Sequence, residues 1–231
     1  MKQFQAIIFD CDGVLVDSEK LALDVELEVL SGLGLTFERD DYLLRFMGLS
    51  TDAFHAAIEE EAQQRLGRSI VAQVRGSERL RQVMIEQLTE VPGALKAISA
   101  LRQPKAIASS GSRAGLERKL KQTGLWAHFA PHVYSADHVA NAKPAPDLFL
   151  LAAAALGAEP SDCLVLEDSV NGVTGARAAG MTVWGFLGGG HAHDRLGERL
   201  IDAGAERLVR DWPEATRLFS FSGPAANPNT R

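Results

Sequence analysis

Apolar residues fall along this chain in two rhythms, and the switch between them divides it. Near the start, Ala6-Ile7-Ile8-Phe9 is a short branched and aromatic run that stops at Asp10-Cys11-Asp12-Gly13. That reads as a buried strand ending in a polar turn. From Ser18 to about Glu90 the spacing is helical throughout. Leu21, Val25, Leu27, Val29 and Leu30 lead up to Gly32 and Gly34, and helical patterns follow over 41–47, 51–66 and about 69–89, with Gly48-Leu49-Ser50 as a loop between them. Asp17 and Ser18 offer side chains that cap the first of these helices. Beyond Val91-Pro92-Gly93 short strands alternate with helices: strands over 105–109, 132–135, 163–166, 182–186 and 207–209, helices over 94–101, 113–123, 147–156, 170–179 and 195–203.

This alternation predicts an α/β fold, a Rossmann-like parallel sheet with helices on both faces. The helical block is then a small cap domain, residues 18–90, inserted after the first strand of a discontinuous core domain, residues 1–17 and 91–222. Because the insertion leaves and returns near the sheet end that carries Asp10, it is expected to sit over that end as a lid. Residues 223–231, with Pro224 and Pro228 among small polar residues, read as a disordered tail.

In an open parallel sheet ligands bind outside the carboxyl ends of the strands. Asp10 and Asp12 lie there, as do Ser109-Ser110, Lys143 and Glu167-Asp168 in later loops. Taken alone, Asp-x-Asp-Gly is an ordinary surface turn. A calcium loop is disfavoured, since Val14 and Leu21 stand where further ligands would be needed. Taken together, four carboxylates at one sheet edge repel and raise one another's pKa unless a cation joins them. Oxygen donors without histidine or thiol select a hard ion, and Mg²⁺ shares its remaining positions with water and substrate phosphate. Lys143 then offers a point charge to a phosphoryl oxygen, and Ser109, Ser110 and the following backbone N–H groups offer hydrogen bonds.

The net charge of −6 argues against a nucleic-acid surface and leaves room for a small phosphorylated substrate held by a metal and local cations. No apolar run approaches the roughly 20 residues of a membrane span. Two cysteines, Cys11 and Cys163, fit a reducing compartment. A cytoplasmic protein, monomeric or weakly dimeric, is expected. Cys163 reads as a core residue, and Cys11, between the carboxylates, as a weak candidate for oxidation. His191 and His193 follow three glycines and read as ordinary surface residues rather than a metal tract.

The pieces Phe9-Asp10-Cys11-Asp12-Gly13-Val14-Leu15-Val16-Asp17-Ser18, Ala108-Ser109-Ser110, Ala142-Lys143-Pro144-Ala145-Pro146-Asp147 and Leu166-Glu167-Asp168-Ser169 resemble the haloacid dehalogenase superfamily, in its phosphatase and phosphomutase branch with a small helical cap. The resemblance runs to about Trp212. It implies that Asp10 is a nucleophile forming an aspartyl-phosphate and that Asp12 is the general acid/base. It assigns phosphate binding to Ser109 and Lys143. It assigns the metal to Asp10, the main-chain carbonyl of Asp12, Asp168 and, directly or through water, Glu167. Asp12 argues against dehalogenase activity.

A β-phosphoglucomutase-type reaction is the alternative, but the chain departs from that pattern at Thr51, where an arginine is expected, and at Ala22, where a histidine is expected. A phosphatase similar to the bacterial 6-phosphogluconate phosphatases is favoured, with Arg45 as a substitute cation for the mutase reading. Arg45, Gly48, Leu49, Ser50 and Thr51 are candidates for substrate choice. A silent binding module is disfavoured because every expected catalytic residue is present. A phospho-receiver domain is disfavoured by the helical insertion.

Overall fold

The computed structural model describes residues 3–46, 51–75, 82–83, 86–193 and 195–222. The expected tail 223–231, the Gly48-Leu49-Ser50 loop and part of the expected 69–89 helix lie outside these residues. The chain divides into two compact units, residues 18–88 and residues 1–17 with 89–231. The division falls at 88/89 rather than 90/91. The reason is local: Asp17 donates its N–H to the Thr89 carbonyl at 3.0 Å, and Glu90 pairs with Val16.

The smaller unit is helical among its described residues. It contains α1 (Ser18–Gly32), α2 (Arg39–Phe46), α3 (Thr51–Leu66) and α4 (Val71–Arg75). One apolar stripe of each of the first three helices meets in a shared core of Leu23, Leu30, Tyr42, Phe46, Ile58 and Ala62, which Ile70 joins from just before α4. The phenol of Tyr42 stays satisfied there by donating to Glu26 Oε2 at 2.8 Å.

The larger unit is built on six parallel strands, β1 (Ala6–Phe9), β2 (Lys105–Ser109), β3 (Val133–Ser135), β4 (Cys163–Glu167), β5 (Thr182–Phe186) and β6 (Arg207–Val209), in the order β3-β2-β1-β4-β5-β6. The chain runs outward from β1 to β3 and then returns to the other side of β1. The strand order therefore reverses between β1 and β4, the place where an open α/β sheet forms a crevice. Phe9 registers with Ile107 on one side and Leu166 on the other, so the residues just beyond it leave the sheet beside Ser109 and Glu167.

Both faces of the sheet are covered, which is why β1 and β4 are apolar on successive residues instead of alternating. Ala6, Ile8, Ala106, Ala108, Val165 and Val183 pack under α8 (Asp147–Ala155), α9 (Val170–Ala178) and α10 (Leu196–Asp202). On the other face Phe9 meets Phe129 of α7 (Trp126–Phe129), and Trp212 and Phe219 of α11 (Trp212–Ser222), with ring centroids 5.8, 5.8 and 6.1 Å away. Helices α5 (Ala94–Ala100) and α6 (Arg113–Gln122) complete the unit. Helices α7 and α11 have no counterpart in the helical spacing of the sequence. The first is a single turn, and the second packs Trp212 and Phe219 onto the sheet, with Trp212 donating its indole N–H to the Val14 carbonyl at 2.9 Å. No helix among the described residues is long and apolar enough to cross a membrane.

Candidate active site

The end of β1 opens into a tight loop. Cys11 O accepts from Leu15 N and Val16 N at 2.9 and 3.0 Å, and Gly13 N donates back to Val16 O at 2.8 Å. Gly13 adopts φ +76°, and a Cβ there would sit 1.8 Å from Asp168 Oδ2, so only glycine lets the loop pass this close to the end of β4. The turn places Asp10 and Asp12 on the crevice side, while the Cys11 side chain is fully buried. Burial, reinforced by the Asp12 and Asp10 charges, pushes the Cys11 thiol well up. A thiolate is disfavoured there, which removes the basis for the oxidation reading.

Lys143 is the hub of the site. Its ammonium lies 2.5 Å from Asp10 Oδ1 and 2.5 Å from Glu167 Oε1, with only 3% of the side chain exposed. Burial works against its charge, yet the two carboxylates prevail and its pKa is raised. Glu167, fully buried, spends its other oxygen on Ser169, accepting from the backbone N–H at 2.8 Å and the hydroxyl at 2.9 Å. The acid read as a possible metal ligand is thus occupied in holding Lys143 and the start of α9. Ser169 also caps α9 by accepting from Gly172 N at 3.0 Å.

Asp10 has the opposite balance. Burial raises its pKa well above the ordinary carboxylate value; Lys143 lowers it, and the nearby charges of Glu167, Asp168 and Asp12 raise it further. The cluster is short of positive charge. Ser109 is buried at the end of β2, where its Oγ accepts from Gly111 N at 3.2 Å, while Ser110 is exposed and Ser112 caps α6 through Gly115 N.

Two further side chains, Lys119 and His191, reach the acidic cluster. Lys119, on α6, forms an ion pair with Asp12; it is one of several cations on that helix, and its charge alone gave no sign of its partner. His191 is the larger correction. It is not a surface residue: it is buried, with Nε2 3.2 Å from Asp168 Oδ2. The glycines before it signalled a loop but not that the loop turns inward.

The cap candidates behave differently. Arg45 is paired with Asp41 at 3.4 Å and with Glu61, and lies over the ring of Phe46 at 4.9 Å. Thr51 begins α3, and Gly48, Leu49 and Ser50 fall outside the described residues.

Among the described residues no group of three or more His, Cys, Asp or Glu side chains is placed to hold a metal ion by itself. With Glu167 engaged elsewhere, two carboxylates remain, Asp10 and Asp168, beside the Asp12 main chain. That donor set, all oxygen and deficient in positive charge, fits a hard divalent ion that keeps waters and takes its other ligands from substrate.

A family profile described as haloacid dehalogenase-like hydrolase matches residues 4–180. The fructose-1-phosphate phosphatase YqaB of Escherichia coli is 33% identical over 182 residues, covering 78% of this chain and 95% of that protein. Protein SUPPRESSOR OF QUENCHING 1 of Arabidopsis thaliana is 34% identical over 191 residues, covering 76% of this chain; the chain spans only 17% of that much longer relative. A hydrolase of this type from Deinococcus radiodurans, crystallised with bound phosphate and sodium, is 32% identical with a TM-score of 0.85, covering 96% of this chain and 97% of that one. With the sheet order, the crevice and these likenesses in agreement, the chain belongs to the haloacid dehalogenase-like hydrolase family.

Proposed function

We propose that this protein is a Mg²⁺-dependent phosphatase that hydrolyses a small phosphorylated sugar or sugar acid through an aspartyl-phosphate. The observation that carries the reading is the buried chain Asp10–Lys143–Glu167 at the strand ends, and the phosphatase named among its relatives supports it. Asp10 attacks phosphorus with a carboxylate oxygen, and the P–O bond to the sugar breaks. Asp12 gives its proton to the leaving oxygen, then takes one from the water that attacks the aspartyl-phosphate and frees inorganic phosphate.

Lys143 balances charge on the transferring group, and Ser109 with the N–H groups after it binds the phosphoryl oxygens. Asp10, Asp168 and the Asp12 carbonyl would hold Mg²⁺, which would supply electrostatic stabilisation of the phosphoryl oxygens.

A mutase needs a second cation for the distal phosphate of its bisphosphate. The guanidinium of Arg45 is already engaged by Glu61 and Asp41 within its own unit, which supports hydrolysis over phosphoryl shuttling. A phosphate-release screen over sugar phosphates, with Mg²⁺ and with chelator, tests the reading. Release that requires Mg²⁺ is expected. Conversion of a hexose 1-phosphate into its 6-phosphate without phosphate release contradicts it.

A further inference from the structure

The loop after β5 reaches back to the metal side of the site. Leu187 N donates to Val209 O at 2.8 Å, Gly190 N to Asp17 Oδ1 at 2.9 Å, and Ala192 N to Gly189 O at 3.0 Å, so the backbone on either side of His191 is pinned. The imidazole is wedged between two glycines: a Cβ on Gly13 would come within 2.7 Å of its Cε1, and one on Gly189 within 2.8 Å of both Cε1 and Nδ1. Held this way, Nε2 sits 3.2 Å from Asp168 Oδ2, with both side chains only 6% exposed.

From this arrangement we infer that His191 is a positioning residue: its Nε2–H donates to Asp168 Oδ2 and fixes the carboxylate plane that receives the divalent ion. A carboxylate on the short connection between β4 and α9 has its own rotational freedom, and a ligand free to turn loses affinity when it must be ordered on binding. A rigid donor on a second loop removes that freedom in advance. His191 touches neither substrate nor ion in this role and acts only through Asp168. The inference rests on the proposed Mg²⁺ reading.

Calorimetric titration of Mg²⁺ into metal-free protein, with no substrate present, separates the possibilities. Wild type is compared with His191→Leu, which fills the space without a donor, and His191→Gln, which keeps an N–H at a similar reach; circular dichroism checks that each is folded. His191→Leu is expected to weaken Mg²⁺ binding by about 10–100-fold, with His191→Gln recovering most of the loss. In turnover assays the same loss appears as a raised Mg²⁺ requirement, with kcat near wild type at saturating Mg²⁺. Equal Mg²⁺ affinity in wild type and a folded His191→Leu variant overturns the positioning role and leaves the phosphatase reading standing. A wild type that releases phosphate without any Mg²⁺ uptake overturns both.

Discussion

Lys143 is held between two buried acids, and its removal leaves both without their cation. Taking one partner from a buried ionic group costs about 3–5 kcal/mol, because the remaining charge is stranded. Lys143→Met is therefore expected to lower the urea unfolding free energy of the metal-free protein by about that amount and to abolish phosphate release. A folded variant with wild-type turnover contradicts the assignment.

A second residue-scale expectation lies in the cap unit. Burial raises the pKa of Glu26 above its ordinary 4.5, with the Tyr42 hydrogen bond pulling the other way. Between the ordinary and raised values the folded chain binds more protons than the unfolded one, so this group's contribution to stability falls as pH rises through that window. Glu26→Gln still accepts from Tyr42 and loses that slope. Thermal unfolding of both proteins from pH 4 to 8 reads the difference, and identical slopes contradict it.

At the scale of elements, the site is set by how closely α9 approaches the end of β4. Gly172, in the first turn of α9, has no room for a side chain: a Cβ would lie 1.7 Å from Glu167 Oε1. Gly172→Ala is expected to displace Glu167 and, with it, Lys143. A shift of about 1 Å at a reacting group costs on the order of 100-fold in rate. The loss should appear in kcat under saturating Mg²⁺; unchanged kcat means Glu167 does not position Lys143.

The strands and most helices were legible because each apolar run is short, bounded by turn residues and repeated. Asp10, Ser109, Lys143 and Glu167-Asp168 were legible because parallel strands carry their ends to one edge. Helix α11 was not, since Trp212, Ala215 and Phe219 lie next to a polar tail and their partner, Phe9, is two hundred residues earlier. Nor was His191, whose burial depends on a loop conformation and not on its neighbours in sequence.

At the scale of the molecule, the change in hydrophobic rhythm at about residue 90 corresponds to a division of the chain into two units. The chemistry-bearing side chains Asp10, Asp12, Ser109, Lys143, Glu167 and Asp168 all belong to the larger one. The Asp12–Lys119 pair, like the His191–Asp168 pair, depends on an element that closes over the strand ends, so neither could be read from spacing. The proposed mechanism requires the phosphoryl group to pass through Asp10. Acid quenching of the enzyme during turnover of a sugar phosphate with Mg²⁺, followed by peptide mass analysis, tests it directly. A phosphoryl group is expected on the peptide containing Asp10, and its absence in Asp10→Asn together with a loss of about 10⁴-fold or more in turnover. Wild-type rates of phosphate release from Asp10→Asn would contradict it.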